Sequence, residues 1–159
     1  MELHNHITRR LHGEHEAAFK LIARVERAFA GLAADSIPSA AAPEWSTLLR
    51  DMKTALEFEE RALFPLLIEA GESDLVGILD EEHRAIRAIA APVIELLRKF
   101  PGAGLDAADW RSLRALGLEL CLSLDAHARK EEAAMLPALE ALLDAERDRE
   151  LTASYVDGG

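Results

Sequence analysis

Read for the spacing of its apolar side chains, the chain divides into four long stretches of helical periodicity separated by breakers. The first runs from about Asn5 to Ala33 and carries Leu11, Phe19, Ile22, Val25 and Phe29 at spacings that share one helix face. Asp35-Ser36-Ile37-Pro38-Ser39 through Pro43 reads as a loop from its Pro and Ser content. The second stretch, about Glu44 to Ala70, turns Leu48, Met52, Leu56, Leu63 and Leu66 to one side, with Gly71 placed to cap its end. The third begins at Ser73 or Asp74 and stops before Pro101-Gly102-Ala103-Gly104. The fourth starts at Asp106, whose carboxylate can cap the first turn, and continues to about Asp144. Only a few residues join the second and third stretches, which makes them antiparallel neighbours. Loops of about ten and about seven residues join the other pairs, as an up-down-up-down four-helix bundle allows. The expected fold is all-α, with residues 1–145 as the bundle and residues 146–159 as a C-terminal tail, frayed or a short helix.

The apolar stripes are interrupted by groups that a core does not ordinarily accept. Projected at about 100° per residue, the first helix turns Leu11, His15, Phe19, Ile22 and Phe29 inward, and the second Leu48, Met52, Ala55, Glu59, Leu63 and Leu66. The third turns Val76, Leu79, His83, Ile86, Ala90, Val93 and Leu97 inward, and the fourth Leu113, Leu116, Leu120, Leu124, His127, Glu131 and Met135. A lone buried carboxylate costs several kcal/mol unless it is paired or bound to a cation. Two such carboxylates, three imidazoles and no Lys or Arg on the same stripes call for a metal ion. His127 and Glu131, one turn apart, can converge on one ion or on adjacent ions. Three His with two Glu suit iron, manganese or zinc, and fit neither an oxygen-only calcium site nor a thiolate site. Shared carboxylates between imidazole-rich ions favour a dinuclear iron centre, although ligand type alone does not fix the number of ions.

The same pattern occurs twice. Glu59-Glu60-Arg61-Ala62-Leu63-Phe64-Pro65-Leu66-Leu67 is echoed by Glu131-Glu132-Ala133-Ala134-Met135-Leu136-Pro137-Ala138-Leu139, and Glu14-His15 by Glu82-His83. A duplicated helix pair with His and Glu at matching places is the sequence form of a metal site inside a bundle. Pro65 and Pro137 occupy the same place in the repeat and predict a matched pair of bends just beyond the site; Pro92 also falls inside a helix.

Composition narrows the function. Half of the 159 residues are hydrophobic but only 5% are aromatic, a balance that suits helices. A net charge of −11 argues against nucleic acid or an anionic membrane as partner. The single Cys121, set off the inward stripe, cannot form an intrachain disulfide and reads as a packing thiol. No long uncharged apolar stretch or basic leader is present, so the cytoplasm is the expected location.

These residues together resemble the hemerythrin-like, or HHE cation-binding, domain over roughly Leu11 to Leu143. The resemblance rests on Leu11-His12-Gly13-Glu14-His15, Phe58-Glu59-Glu60 with Leu63-Phe64-Pro65, Glu81-Glu82-His83-Arg84, and His127 four before Glu131-Glu132. It implies metal ligands at His15, Glu59, His83, His127 and Glu131, with Glu59 and Glu131 bridging two non-haem iron ions. The family pattern also asks for a His four before the second-helix Glu, where this chain has Ala55. Either water holds that position, His12 fills the gap, or one iron binds instead of two. The function implied is binding of dioxygen or nitric oxide, or iron handling. An iron-dependent oxidase or peroxidase, an iron–sulphur repair enzyme, and a metal-free interaction bundle remain open alternatives. Trp45 and Trp110 read as packing at helix starts, and Tyr155, in the tail, offers no evident tyrosine relay.

Overall fold

A computed structural model describes residues 2–30, 42–99 and 104–157. It contains α1 (His6–Ala30), α2 (Ala42–Phe58), α3 (Phe64–Glu69), α4 (Ser73–Lys99), α5 (Ala107–Lys130), α6 (Leu136–Leu142) and α7 (Ala145–Asp157). A π-helical turn, Glu59–Leu63, joins α2 to α3 without a break, and a second, Glu131–Met135, joins α5 to α6. The bundle therefore has four rods, α1, α2–α3, α4 and α5–α6, with α7 packed on α1; among the described residues there is no strand. The expected loop from Asp35 lies outside the described residues as far as Ala41, as does Pro101-Gly102-Ala103.

Two of the expected caps form. The Asp106 side chain accepts from the Asp109 amide at 2.8 Å and opens α5. Gly71, at φ +92, closes α3: Glu72 N–H donates to the Leu67 carbonyl and Gly71 N–H to that of Ile68. The N-terminus of α1 is capped from far along the chain. Asp148 of α7 accepts from the His6 and Ile7 amides, both at 2.9 Å, and Glu140 of α6 accepts from the His4 and Asn5 amides and the Thr8 hydroxyl. Burial alone would raise the Glu140 carboxyl, but these donors hold it below its ordinary value.

Apolar burial falls into two clusters. One holds Leu21, Ile22, Val25, Phe29, Trp45, Leu48, Leu56, Ile86, Val93, Leu113 and Leu120; the other holds Ile7, Leu11, Phe58, Leu63, Phe64, Leu67, Leu79, Met135, Leu136, Leu139 and Leu151. Trp45 is completely buried and meets Phe29 edge-on at 5.3 Å, so it is a core residue rather than mere end-packing. Gly117 faces it so closely that a β-carbon there would lie 2.9 Å from the indole. Cys121 does not fall off the stripe: it is fully buried in the first cluster, where burial and the Glu26 charge push its thiol up to about 12. Such a thiol is inert at neutral pH. No described helix is long and apolar enough to cross a membrane.

Candidate metal centre

Between the two apolar clusters lies a layer of buried polar groups, one or two from each rod. His15 comes from α1, Glu59 from the first π turn, His83 from α4, His127 from α5 and Glu131 from the second π turn. All five are buried, His83 completely and Glu59 to 1% exposure. Ligand atoms of Glu59, His83, His127 and Glu131 lie within 4.8 Å of one another. His15 joins them through Glu131, whose Oε2 is 3.0 Å from His15 Nε2 while its Oε1 is 3.0 Å from His127 Nε2. Glu59 Oε2 is 3.1 Å from His83 Nε2, and the Nε2 atoms of His83 and His127 are 3.0 Å apart.

The outer nitrogen of each imidazole is held by a carboxylate. His15 Nδ1 is 2.6 Å from Glu132, His83 Nδ1 2.8 Å from Glu60, and His127 Nδ1 2.8 Å from Glu82. Each of these carboxylates has a second, outer partner. Arg87 grips Glu60 with two nitrogens at 2.6 and 3.0 Å, Lys130 pairs with Glu82, and His12 Nδ1 lies 2.8 Å from Glu132. With Nδ1–H turned to a carboxylate, Nε2 carries its lone pair inward. Three nitrogen lone pairs and the oxygens of two carboxylates then face one another. Glu59 Oε2 and Glu131 Oε1 accordingly receive no hydrogen bond despite complete burial. Imidazole nitrogens and carboxylate oxygens gathered face to face suit a cation. Donors at about 2.1 Å from one ion and at right angles are about 3 Å apart, the separation of the two Nε2 atoms. The residues present therefore fit a metal ion.

Charge within the layer points the same way. Burial and the neighbouring Glu131 push the Glu59 carboxyl well above its ordinary value. Burial would raise Glu131 too, but the facing His127 and His15 outweigh it and hold that carboxyl below its ordinary value. Burial pulls His15 and His127 down, yet their carboxylate partners raise both; His83, where burial and His127 prevail, is lowered.

Of the residues singled out from sequence, His15, Glu59, His83, His127 and Glu131 come together. His12 does not join them: its side chain is 48% exposed and engages Glu132 from outside. His4 and His6 are exposed. Ala55 leaves space: a cavity of about 840 Å³ between α1, α2 and α5 is lined by Ala55, His15, Glu59, His127, Glu131 and Tyr155 among others. Tyr155 is thus no bystander in a tail. As part of α7 its hydroxyl donates to Glu14, and its ring meets Phe58 edge-on at 4.4 Å. Glu60, Glu82 and Glu132 were not anticipated as partners, although each adjoins a residue of the buried layer in sequence and Glu60 and Glu132 recur in the repeat.

The chain is 28% identical, over 134 residues spanning 80% of its length and 83% of the other protein, to the iron-sulfur cluster repair protein DnrN of Neisseria gonorrhoeae. A family model, the hemerythrin HHE cation-binding domain, matches in two overlapping stretches, residues 6–98 and 74–155. The two matches together take in every rod and every residue of the buried layer, and the chain belongs to the hemerythrin HHE cation-binding family.

Proposed function

We propose that this chain is a non-haem iron protein whose centre binds two iron ions unequally, and that it binds a small diatomic ligand, dioxygen or nitric oxide, or handles iron. The observation that carries this is the pair of fully buried carboxylate oxygens, Glu59 Oε2 and Glu131 Oε1, left without hydrogen bonds opposite imidazole nitrogens. His83, His127, Glu59 and Glu131 would hold an ion at the inner position; His15, with Glu131 beside it, would help hold a second near Ala55 and the cavity. Bound iron supplies Lewis acidity and an exchangeable coordination position. The protein residues orient the imidazoles, exclude water from the inner side and leave the cavity side accessible.

Metal analysis by plasma emission on protein produced with added iron tests the reading. Two irons per chain, with an absorption spectrum that changes on exposure to nitric oxide, is the expected result. One iron restricts the centre to the inner position; none after anaerobic reconstitution refutes iron binding. A second reading, iron–sulphur cluster repair, is favoured by the similarity to the gonococcal iron-sulfur cluster repair protein and by the open side at Ala55, which suits iron release. Restoration of activity to a damaged iron–sulphur enzyme by the iron-loaded protein, beyond that given by free ferrous ion, supports it.

A further inference from the structure

The duplication that builds the centre also sets a rule for its outer carboxylates, and the rule breaks at one place. In the second half, Glu82, which precedes His83, holds Nδ1 of His127, the residue four before Glu131. The corresponding positions in the first half are Glu14, which precedes His15, and Ala55, four before Glu59. Glu14 stands where the outer carboxylate of a fourth imidazole belongs, and there is no imidazole for it to hold. Its Oε2 accepts instead from the hydroxyl of Tyr155, while its Oε1 accepts from Arg10 Nε, one turn back on α1, at 3.3 Å. The Tyr155 ring lies against Phe58, one turn along α2 from Ala55, with the Arg10 guanidinium 4.3 Å from its centroid. Tyr155, Glu14 and Ala55 line the same cavity as His15, Glu59, His127 and Glu131; of the buried layer only His83, deepest in the inner position, lies off it. Docking of α7 does not itself require this arrangement, because Leu151 already buries in the core and Asp148 already caps α1.

We propose that Tyr155 stands in for the absent imidazole: Glu14 and the Tyr155 hydroxyl form the polar wall of the cavity-side metal position, and α7 completes a site that the bundle alone leaves open. Tyr155 and Glu14 are positioning residues here, acting on the His15 side of the centre and not on the inner position. This rests on the metal-binding reading above.

Titration of metal-free protein with cobalt(II), read by its ligand-field absorption against a competing chelator, separates the two binding steps. Tyr155→Phe, which keeps the ring on Phe58, should leave the first step unchanged and alter the second several-fold. Ala55→His alone should gain little, because Glu14 is already engaged. Ala55→His with Tyr155→Phe should bind the second ion about 10–100-fold more tightly than Ala55→His alone, the usual worth of the outer carboxylate that orients a ligating imidazole. Adding Glu14→Gln to that pair should remove most of the gain. Thermal melting of each metal-free variant checks that the fold is retained. The inference is overturned if Ala55→His alone tightens the second step as much as the pair, if Tyr155→Phe shifts both steps alike, or if the unmodified chain binds a single ion. Absence of any bound metal in the unmodified chain removes the metal-binding reading itself, a distinct result.

Discussion

Each imidazole of the centre is fixed at both nitrogens, and the outer fixings are unequal. Glu60 and Glu82 are backed by Arg87 and Lys130, whereas Glu132 is backed by the exposed His12. Glu82→Ala removes the acceptor for His127 Nδ1–H, so the ring loses its fixed tautomer and orientation; metal affinity should fall about 10–100-fold. Glu82→Gln keeps an acceptor and should fall less. His12→Ala should cost severalfold at most and should leave metal stoichiometry unchanged, since His12 reaches no buried donor. Chelator competition across these variants checks the order, and loss of an ion in His12→Ala would return that residue to the ligand set. The five inner donors were legible in the sequence because each interrupts an apolar stripe at helical spacing, where an unpartnered charge has no bland explanation. The outer carboxylates were not. They sit one position away from residues of the buried layer, partly exposed, where acidic side chains are ordinarily just solvated. Tyr155 was missed for a different reason: nothing in local pattern says where a C-terminal helix docks.

At the scale of elements, the duplicated Pro does more than bend a rod. Pro65 and Pro137 follow π turns in which Phe64 N–H reaches back to the Glu59 carbonyl and Leu136 N–H to that of Glu131. The widened turn places Glu59 and Leu63 inward, and likewise Glu131 and Met135, and the Pro that follows has no N–H to offer the preceding turn. Sequence predicted matched bends at these places; the π hydrogen bonding depends on how the whole layer packs and has no local signature. The capping of α1 shows the same division. Its first turn contains no acidic residue, and the caps come from Glu140 and Asp148, more than a hundred positions away. Asp148 is buried and accepts from two amides, so Asp148→Ala should destabilise the fold by about 1–2 kcal/mol and Asp148→Asn by less. Urea unfolding of the metal-free protein measures this. An unchanged midpoint for Asp148→Ala would mean that α7 contributes little to holding α1.

For the molecule as a whole, a polar layer between two apolar clusters makes stability depend on what neutralises the layer. Glu59, His15 and His127 are held above their ordinary values in the fold, so they bind protons more tightly than the unfolded chain does. Their contribution is complete below their unfolded values and drains away as pH rises through the raised ones. Glu131, Glu60, Glu82 and Glu140 are held down, and their contribution is present above the ordinary carboxylate range and lost as pH falls through the lowered values. His83, also lowered, adds to the loss on the acid side. The metal-free fold should therefore be most stable in mild acid, between the carboxylate and imidazole ranges, and should weaken toward alkaline pH. A bound cation would compete with protons for Glu59 and for the imidazoles, so binding should release protons and tighten as pH rises. Each proton released adds about 1.4 kcal/mol of metal-linked stability per pH unit. The rise in melting temperature on adding ferrous ion under argon should be distinctly larger at about pH 8 than at about pH 6. An increment that does not change with pH would mean that the layer is already deprotonated without metal, and that the paired carboxylates are balanced by something other than a shared proton.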